Sequence, residues 1–346
     1  MRVALVKQLY DVFGPWRSVK WDDARPGRLF DCWPGKPVYW EMTCLLQADW
    51  YVIPQQVTTA YIFDAVLSVP GRRQMIEAYS DALRELPIEA YDVVITLDPV
   101  LRRESRTGAL FAYYAQEHWD PLYRRSLRKP AAPYDLFLDH MLTAPAVLGR
   151  LPAAVGFPYL RSREVARAEF GTDDKLDMLW LEARAVMALA MSDAWNEQCA
   201  AAMQRLSTIV GLPVVSKKHG VREAPYAVSD PPVWGDGRDY LRELGRCRYF
   251  ASFGRSAGAG QALCDAASLG CICVGERGRR YHELVCHPGA LCDDMFDVPA
   301  VLKRLVESES LRSEVQEWQD AALDEYFDRR PRALLAEAIA MKRAHG

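Results

Sequence analysis

The stretch that most constrains this chain runs from Arg248 to Asp294. Tyr249-Phe250-Ala251-Ser252-Phe253 is a short aromatic run without helical spacing, and such a run reads as a buried strand. The turn after it, Gly254 to Gly260, has almost no side-chain bulk, so its backbone N–H groups can approach an anion closely. Gln261 to Leu269 reads as a helix, Gly270 suits the position just past it, and Cys271-Ile272-Cys273-Val274 is the next apolar strand. Strand, turn, helix and strand in that order make the unit from which parallel sheets are built. A phosphate placed where the helix starts meets free N–H groups and the positive end of the helix dipole. The turn has a second reading, as plain connecting structure, because every doubly wound domain contains several such units.

The run Ala257 to Val274 resembles the donor-binding segment of GT-B-type glycosyltransferases related to the group 1, or family 4, type. In many retaining members a glutamate, a Gly-Phe-Gly turn, a second glutamate opening an Ala-rich helix, and a glycine before an apolar strand occur in order. Here Gly258 and Gly260 fall on the turn, Asp265 falls at the second acid, and Ala257 stands where the first acid would be. Tyr281 to Val285 and His287 to Leu291 resemble the helix and short strand that follow, and the helices from Val298 to Phe327 resemble the C-terminal end. The resemblance implies two Rossmann-like, doubly wound α/β domains facing a cleft, with a nucleotide sugar on the second. It also implies that Arg255, Ser256, Gly258, Gly260, Gln261 and Asp265 hold the donor.

A chain of 346 residues is too long for one small core, and two domains of ordinary size fit it. The expected division is 1–165 for an acceptor domain, 166–328 for a nucleotide-sugar domain, and 329–346 for a C-terminal helix packing back on the first. Half of the residues are hydrophobic and 26% are charged, ordinary for a globular protein. The formal charge of −3 gives no electrostatic case for nucleic-acid binding. Nine cysteines, an odd number without a Cys-x-x-Cys pair, favour reduced thiols over a disulfide framework or a structural zinc. No run of about eighteen apolar residues occurs and Met1 to Val6 lacks a signal-peptide core, so the expected location is the cytoplasm.

Along the first half, Val3 to Val6, Trp50 to Pro54, Tyr91 to Pro99 and Tyr134 to His140 read as strands and Arg72 to Leu86 as an amphipathic helix. Tyr10 to Tyr51, with Trp16, Trp21, Trp33, Trp40 and Trp50 among glycines and prolines, reads as a long loop. It is either a sugar-binding surface or a hydrophobic lid. Asp98 ends a strand, where open parallel sheets bind ligands, and equally suits a turn before Pro99. His118, oriented by Glu117 or Asp120, is a candidate general base toward an acceptor hydroxyl; a structural histidine is the other reading.

In the second half, Thr172 reads as the cap of a long helix with Leu176, Leu179, Trp180, Val186, Leu189 and Ala190 on its apolar face. Leu212 to Ser216 reads as the first strand, followed by Lys217 and Lys218, which either clamp a diphosphate or stand as a solvated pair. Glu276 either accepts hydrogen bonds from ribose or sugar hydroxyls or pairs with Arg277, Arg279 or Arg280. The C-terminal helix, with Leu334, Leu335, Ala338 and Ile339 among basic residues, packs on the first domain or touches an anionic membrane at its inner face.

The function expected from these features is transfer of a sugar from a nucleotide sugar to a carbohydrate, lipid-linked or protein acceptor, in polysaccharide or glycoconjugate synthesis. No cofactor and no metal are expected, since phosphate charge can be met by backbone amides and basic side chains. Two other readings remain open at this level. A dinucleotide-dependent Rossmann enzyme shares Gly258-Ala259-Gly260 but has Leu263 at the third glycine. An inactive sugar- or protein-binding relative would explain Ala257.

Overall fold

A computed structural model describes residues 1–9, 17–21, 40–54, 87–97, 108–115, 135–139, 154–183, 204–215, 237–253, 260–294 and 296–345. They build two sheets. The first uses β1 (Val3–Leu9), β2 (Arg17–Val19), β3 (Asp49–Pro54), β4 (Val93–Thr96), β5 (Leu110–Ala115), β6 (Leu136–Asp139) and β7 (Ala154–Gly156), in the order β2-β3-β1-β4-β5-β6-β7. All its pairings are parallel except that of β2 with β3. Val93 to Thr96 are buried at every position, as expected of a parallel strand covered on both faces. The second sheet uses β8 (Leu176–Ala183), β9 (Val214–Val215), β10 (Cys247–Phe253), β11 (Ile272–Glu276) and β12 (Leu291–Cys292), all parallel, in the order β12-β11-β10-β8-β9.

Helix α1 (Trp40–Leu46) precedes β3, and α2 (Arg163–Phe170) joins the sheets. The second sheet carries α3 (Gly237–Arg246), α4 (Gly260–Ser268), α5 (Arg280–Val285), α6 (Val298–Glu307) and α7 (Glu309–Ala322). A π-helical segment, Leu323–Arg329, leads into α8 (Arg330–His345), which returns to the first sheet. There Lys342 pairs with Asp135 at 2.9 Å and Arg343 with Asp92. Among the described residues no helix is long and apolar enough to cross a membrane, and the seven cysteines form no disulfide.

The element order of the second half follows from local chemistry. Gly270, at φ +78°, ends α4 with its N–H on the carbonyl of Ala267 and that of Cys271 on Ala266, a backbone turn that glycine adopts without strain. Ala262, Cys264, Ala266, Ala267 and Ser268 of this helix are small, and it packs on β10 and β11. Gln319 of α7 satisfies backbone groups of β11 and the residue before it, accepting from Cys273 N at 2.8 Å and donating to the Cys271 carbonyl at 2.7 Å.

Three expectations are corrected. The segment beginning near Thr172 is the strand β8, not a helix: Met178 and Trp180 pack into one core cluster, Leu179 and Leu181 into the other, an alternation of period two. Thr172 accepts from Asp174 N in a turn instead of capping a helix, and Val186, Leu189 and Ala190 lie outside the described residues. Val214–Val215, expected to open the second half, is an edge strand paired with β8. The described end of the tryptophan-rich stretch is not a loop but α1 and β3, with Trp40 and Trp50 in the core and the Trp50 indole N–H donating to Thr43. Trp16 and Trp33 and the helix expected at Arg72 to Leu86 lie outside the described residues.

Candidate functional site

Parallel strands present their carboxyl ends on one side, and open α/β sheets take ligands there. In the second sheet, β8 ends at Ala183, β10 at Phe253 and β11 at Glu276, and α4 starts beside them at Gly260. Of the sequence candidates, Gly260, Gln261, Asp265 and Glu276 are described. Asp98, Glu117, His118, Lys217, Lys218, Arg255, Ser256 and Gly258 lie outside the described residues.

Gly260 opens α4 with its α-carbon against an aromatic ring. A Cβ there would lie 2.5 Å from Tyr281 Cγ and 2.9 Å from both its Cβ and Cδ1, so the absence of a side chain serves the Tyr281 packing. Tyr281 in turn stacks at 5.7 Å on Phe327 of the π-helical segment. Its hydroxyl is pushed well above the usual phenol range, mainly by burial and then by Cys264, Tyr159 and Asp139. Asp139 is the buried carboxyl-terminal residue of β6, so this ring joins the carboxyl-end region of the first sheet to that of the second. Glu276 takes a bidentate grip from Arg279, at 2.8 and 3.4 Å, and its N–H donates to His282 Nδ1 at 2.8 Å.

Asp265 sits in a cluster that the sequence did not foreshadow. Its carboxylate meets the Arg161 guanidinium at 2.8 Å, and the Tyr240 hydroxyl donates to Oδ2 at 3.4 Å. Arg161 also donates to Glu41 Oε1 at 3.2 Å and to the Gln261 carbonyl at 3.4 Å, while Ser162 N donates to Glu41 Oε2 at 2.7 Å. Glu41, Arg161 and Asp265 are 2%, 1% and 5% exposed, so two carboxylates share one guanidinium out of contact with solvent. Burial pushes the Glu41 carboxyl up to about 7, against the pull of Arg161 and with the help of the Asp265 charge. For Arg161 burial works against the charge, but the two carboxylates outweigh it and hold the guanidinium protonated.

The neighbouring polar side chains come from strand ends. Glu182 and Ser252 stand opposite each other in the register of β8 and β10, and Glu182 acts electrostatically on the Tyr240 phenol. Tyr240 packs edge-on against Trp180 at 5.7 Å. Sequence reading missed Glu41, Arg161, Glu182 and Tyr240. The available signal was a lone charge inside an apolar run: Glu41 lies between Trp40 and Met42, and Arg161 follows Tyr159 and Leu160.

No protein-family model matches the sequence, and no curated protein matches it. Solved structures do. A structure titled trehalose-6-phosphate from E. coli, bound with UDP-2-fluoro glucose, is 10% identical with a TM-score of 0.53, over 97% of this chain and 99% of that one. A trehalose-6-phosphate synthase structure is 11% identical with a TM-score of 0.51, over 85% of this chain and 86% of that one. The α,α-trehalose 6-phosphate synthase from Burkholderia multivorans is 10% identical with a TM-score of 0.50, over 99% of both chains. These neighbours are GT-B glycosyltransferases, and their likeness, spread over nearly the whole chain, makes the fold GT-B-like, with two Rossmann-like sheets.

Proposed function

We propose that the chain is a GT-B-type glycosyltransferase that moves a sugar from a nucleotide sugar to an acceptor hydroxyl. The observation that carries this reading is the position of α4: it starts at the carboxyl ends of the second sheet, with Asp265 ion-paired to Arg161 on the turn of helix that follows. The Arg161 guanidinium fixes the Asp265 side chain in place, and a carboxylate accepts stronger hydrogen bonds from ribose or sugar hydroxyls than an amide does. In this reading Gly258 to Gln261 offer backbone N–H groups to the diphosphate, Lys217, Lys218, Arg255 and Ser256 add charge and donors, and Glu276 takes a further hydroxyl.

The chemistry balances simply. The bond from the anomeric carbon to the diphosphate oxygen breaks and the nucleoside diphosphate leaves with the electron pair. The acceptor oxygen bonds to the anomeric carbon, and its proton goes to a base, assigned here to His118, with Glu117 and Asp98 as further candidates from the first half. The proposal includes no metal ion, the leaving charge being met by amides and basic side chains. It divides the chain into an acceptor part, 1–165, a donor part, 166–328, and a C-terminal helix, 329–346. The acceptor is a carbohydrate, lipid-linked or protein hydroxyl, and the reaction takes place in the cytoplasm or at the inner face of the membrane.

Stabilisation by ligands tests the donor class, since a ligand that binds only the folded chain raises its apparent melting temperature. Nucleoside diphosphates or their sugars are expected to raise it and NAD to leave it unchanged. A shift with NAD alone would replace this reading with a dinucleotide enzyme.

A further inference from the structure

The chain crosses between the two sheets twice, and the crossings touch. Residues 157–163 carry it forward and the π-helical segment Leu323–Arg329 carries it back, with Arg161 N donating to the Phe327 carbonyl at 2.9 Å. Arg163 and Arg167 on α2 fasten the pair further, to Asp320 near the end of α7 and Asp324 in the π-helical segment. The Arg161 side chain leaves this double crossing and reaches both ways, to Glu41 on α1 beside the first sheet and to Asp265 on α4 beside the second.

We propose that Arg161, set in the hinge made by the double crossing, is a positioning residue for Asp265 and that one proton on Glu41 sets how firmly it holds, so that affinity for a nucleotide sugar is linked to pH. The ligand part of this inference rests on the function proposed above; the hinge part does not.

With both carboxylates ionised the cluster holds two negative charges and one positive; one added proton makes it neutral. A net charge kept from water is costly, so the buried cluster favours taking the proton. Glu41 is the group placed to take it. From the crossing it faces the Arg161 guanidinium and the Ser162 N–H; from α4 it faces Asp265, the Cys264 thiol and the Ser268 hydroxyl; on its own helix the neighbour is Cys44, which also feels Glu169 of α2. Burial is the leading cause that raises Glu41 to about 7. With Glu41 neutral, Arg161 is left to Asp265 alone. With Glu41 ionised, Arg161 is shared, and the surplus negative charge lies beside α4, at whose start the proposed function places the diphosphate.

The sign follows. Glu41 has a carboxyl raised in the folded state above its unfolded value of 4.5, so the stability it contributes is fully present below pH 4.5 and is lost as pH rises through about 7. Unfolding midpoints of the wild-type chain and Glu41→Gln, measured from pH 5 to 8, are expected to diverge: the wild type loses stability between pH 5 and 7 relative to the variant and then levels. Parallel curves overturn the hinge part. If Glu41→Gln does not fold, carboxyl NMR of wild-type chain labelled with 13C-glutamate decides the same point, with one glutamate titrating near pH 7 expected and none above pH 6 overturning it.

The probe for the ligand part is UDP-2-fluoro glucose, whose diphosphate diester keeps its charge across this range. Its dissociation constant, by calorimetry, is expected to rise on the order of fivefold from pH 6 to 8 in the wild type and to stay flat in Glu41→Gln. A purely structural ion pair would shift stability without that difference in affinity profile. Equal profiles in the two proteins overturn the positioning role. No binding at any pH to either protein overturns the ligand part together with this choice of donor, while the stability curves still decide the hinge.

Discussion

Replacing Gly260 with alanine separates two reasons for a glycine at the start of α4. The added Cβ lands 2.5 Å from Tyr281 Cγ and 2.9 Å from Tyr281 Cβ. Ordinary carbon contacts begin near 3.5 Å, so the ring must retreat by about 1 Å. Because Tyr281 Cβ is itself in the way, rotating the ring does not relieve the clash, and Phe327 stands behind it. Overpacking of this kind costs about 1–3 kcal/mol, offset by up to about 1 kcal/mol because alanine is the better helix former. The expected net loss is about 1–2 kcal/mol, which lowers the urea midpoint by roughly 0.5 M at a slope of about 3 kcal/mol/M. The second variant Tyr281→Ala/Gly260→Ala should show coupling, with the alanine at 260 costing less once the ring is gone. A Gly260→Ala chain with unchanged or raised midpoint would refute the packing argument and leave close approach of a ligand as the sole reason for the glycine.

Arg161→Met leaves the Glu41 and Asp265 carboxylates buried together and should destabilise by about 3–5 kcal/mol, seen as a lower urea midpoint; adding Glu41→Gln and Asp265→Asn should restore much of it. Asp265→Asn in the otherwise intact chain should weaken nucleotide-sugar binding by roughly 1–2 kcal/mol in a calorimetric titration, and wild-type affinity in a folded variant would remove Asp265 from the site. His118→Ala should lower turnover while leaving donor affinity nearly unchanged, since a base on the acceptor acts on the chemical step. Exhaustive treatment with a chelator should leave turnover intact; its loss, with recovery on adding a divalent cation, would make the reaction metal-dependent.

The parts of the fold that were legible share a cause. The β10-α4-β11 unit could be read because Gly270 marks the helix end and the flanking strands are continuous apolar runs. β8 was not, because Leu176, Leu179 and Trp180 fit a helical stripe as well as a strand with two covered faces; only the partition of Leu179 and Trp180 into different clusters distinguishes them. The Glu41–Arg161–Asp265 cluster joins residues more than a hundred positions apart, and spacing along a chain carries no trace of such a meeting. Gly260 shows a third kind of limit: the sequence marks it as a place of close approach, but whether ring or phosphate approaches is a question of tertiary packing. Asp265 could be found from its place in the motif, while Arg161 offered only a charge after an apolar run, with nothing in the sequence to name Asp265 as its partner.

The proposed function requires this chain to cleave a nucleotide sugar at the anomeric carbon. Release of nucleoside diphosphate from a panel of radiolabelled nucleotide sugars, with and without a mixed pool of carbohydrate and lipid-linked acceptors, measures it directly. Release is expected from at least one donor, faster with acceptor present and reduced in Asp265→Asn. No release from any donor by a folded chain that also gains no stability from them would contradict it.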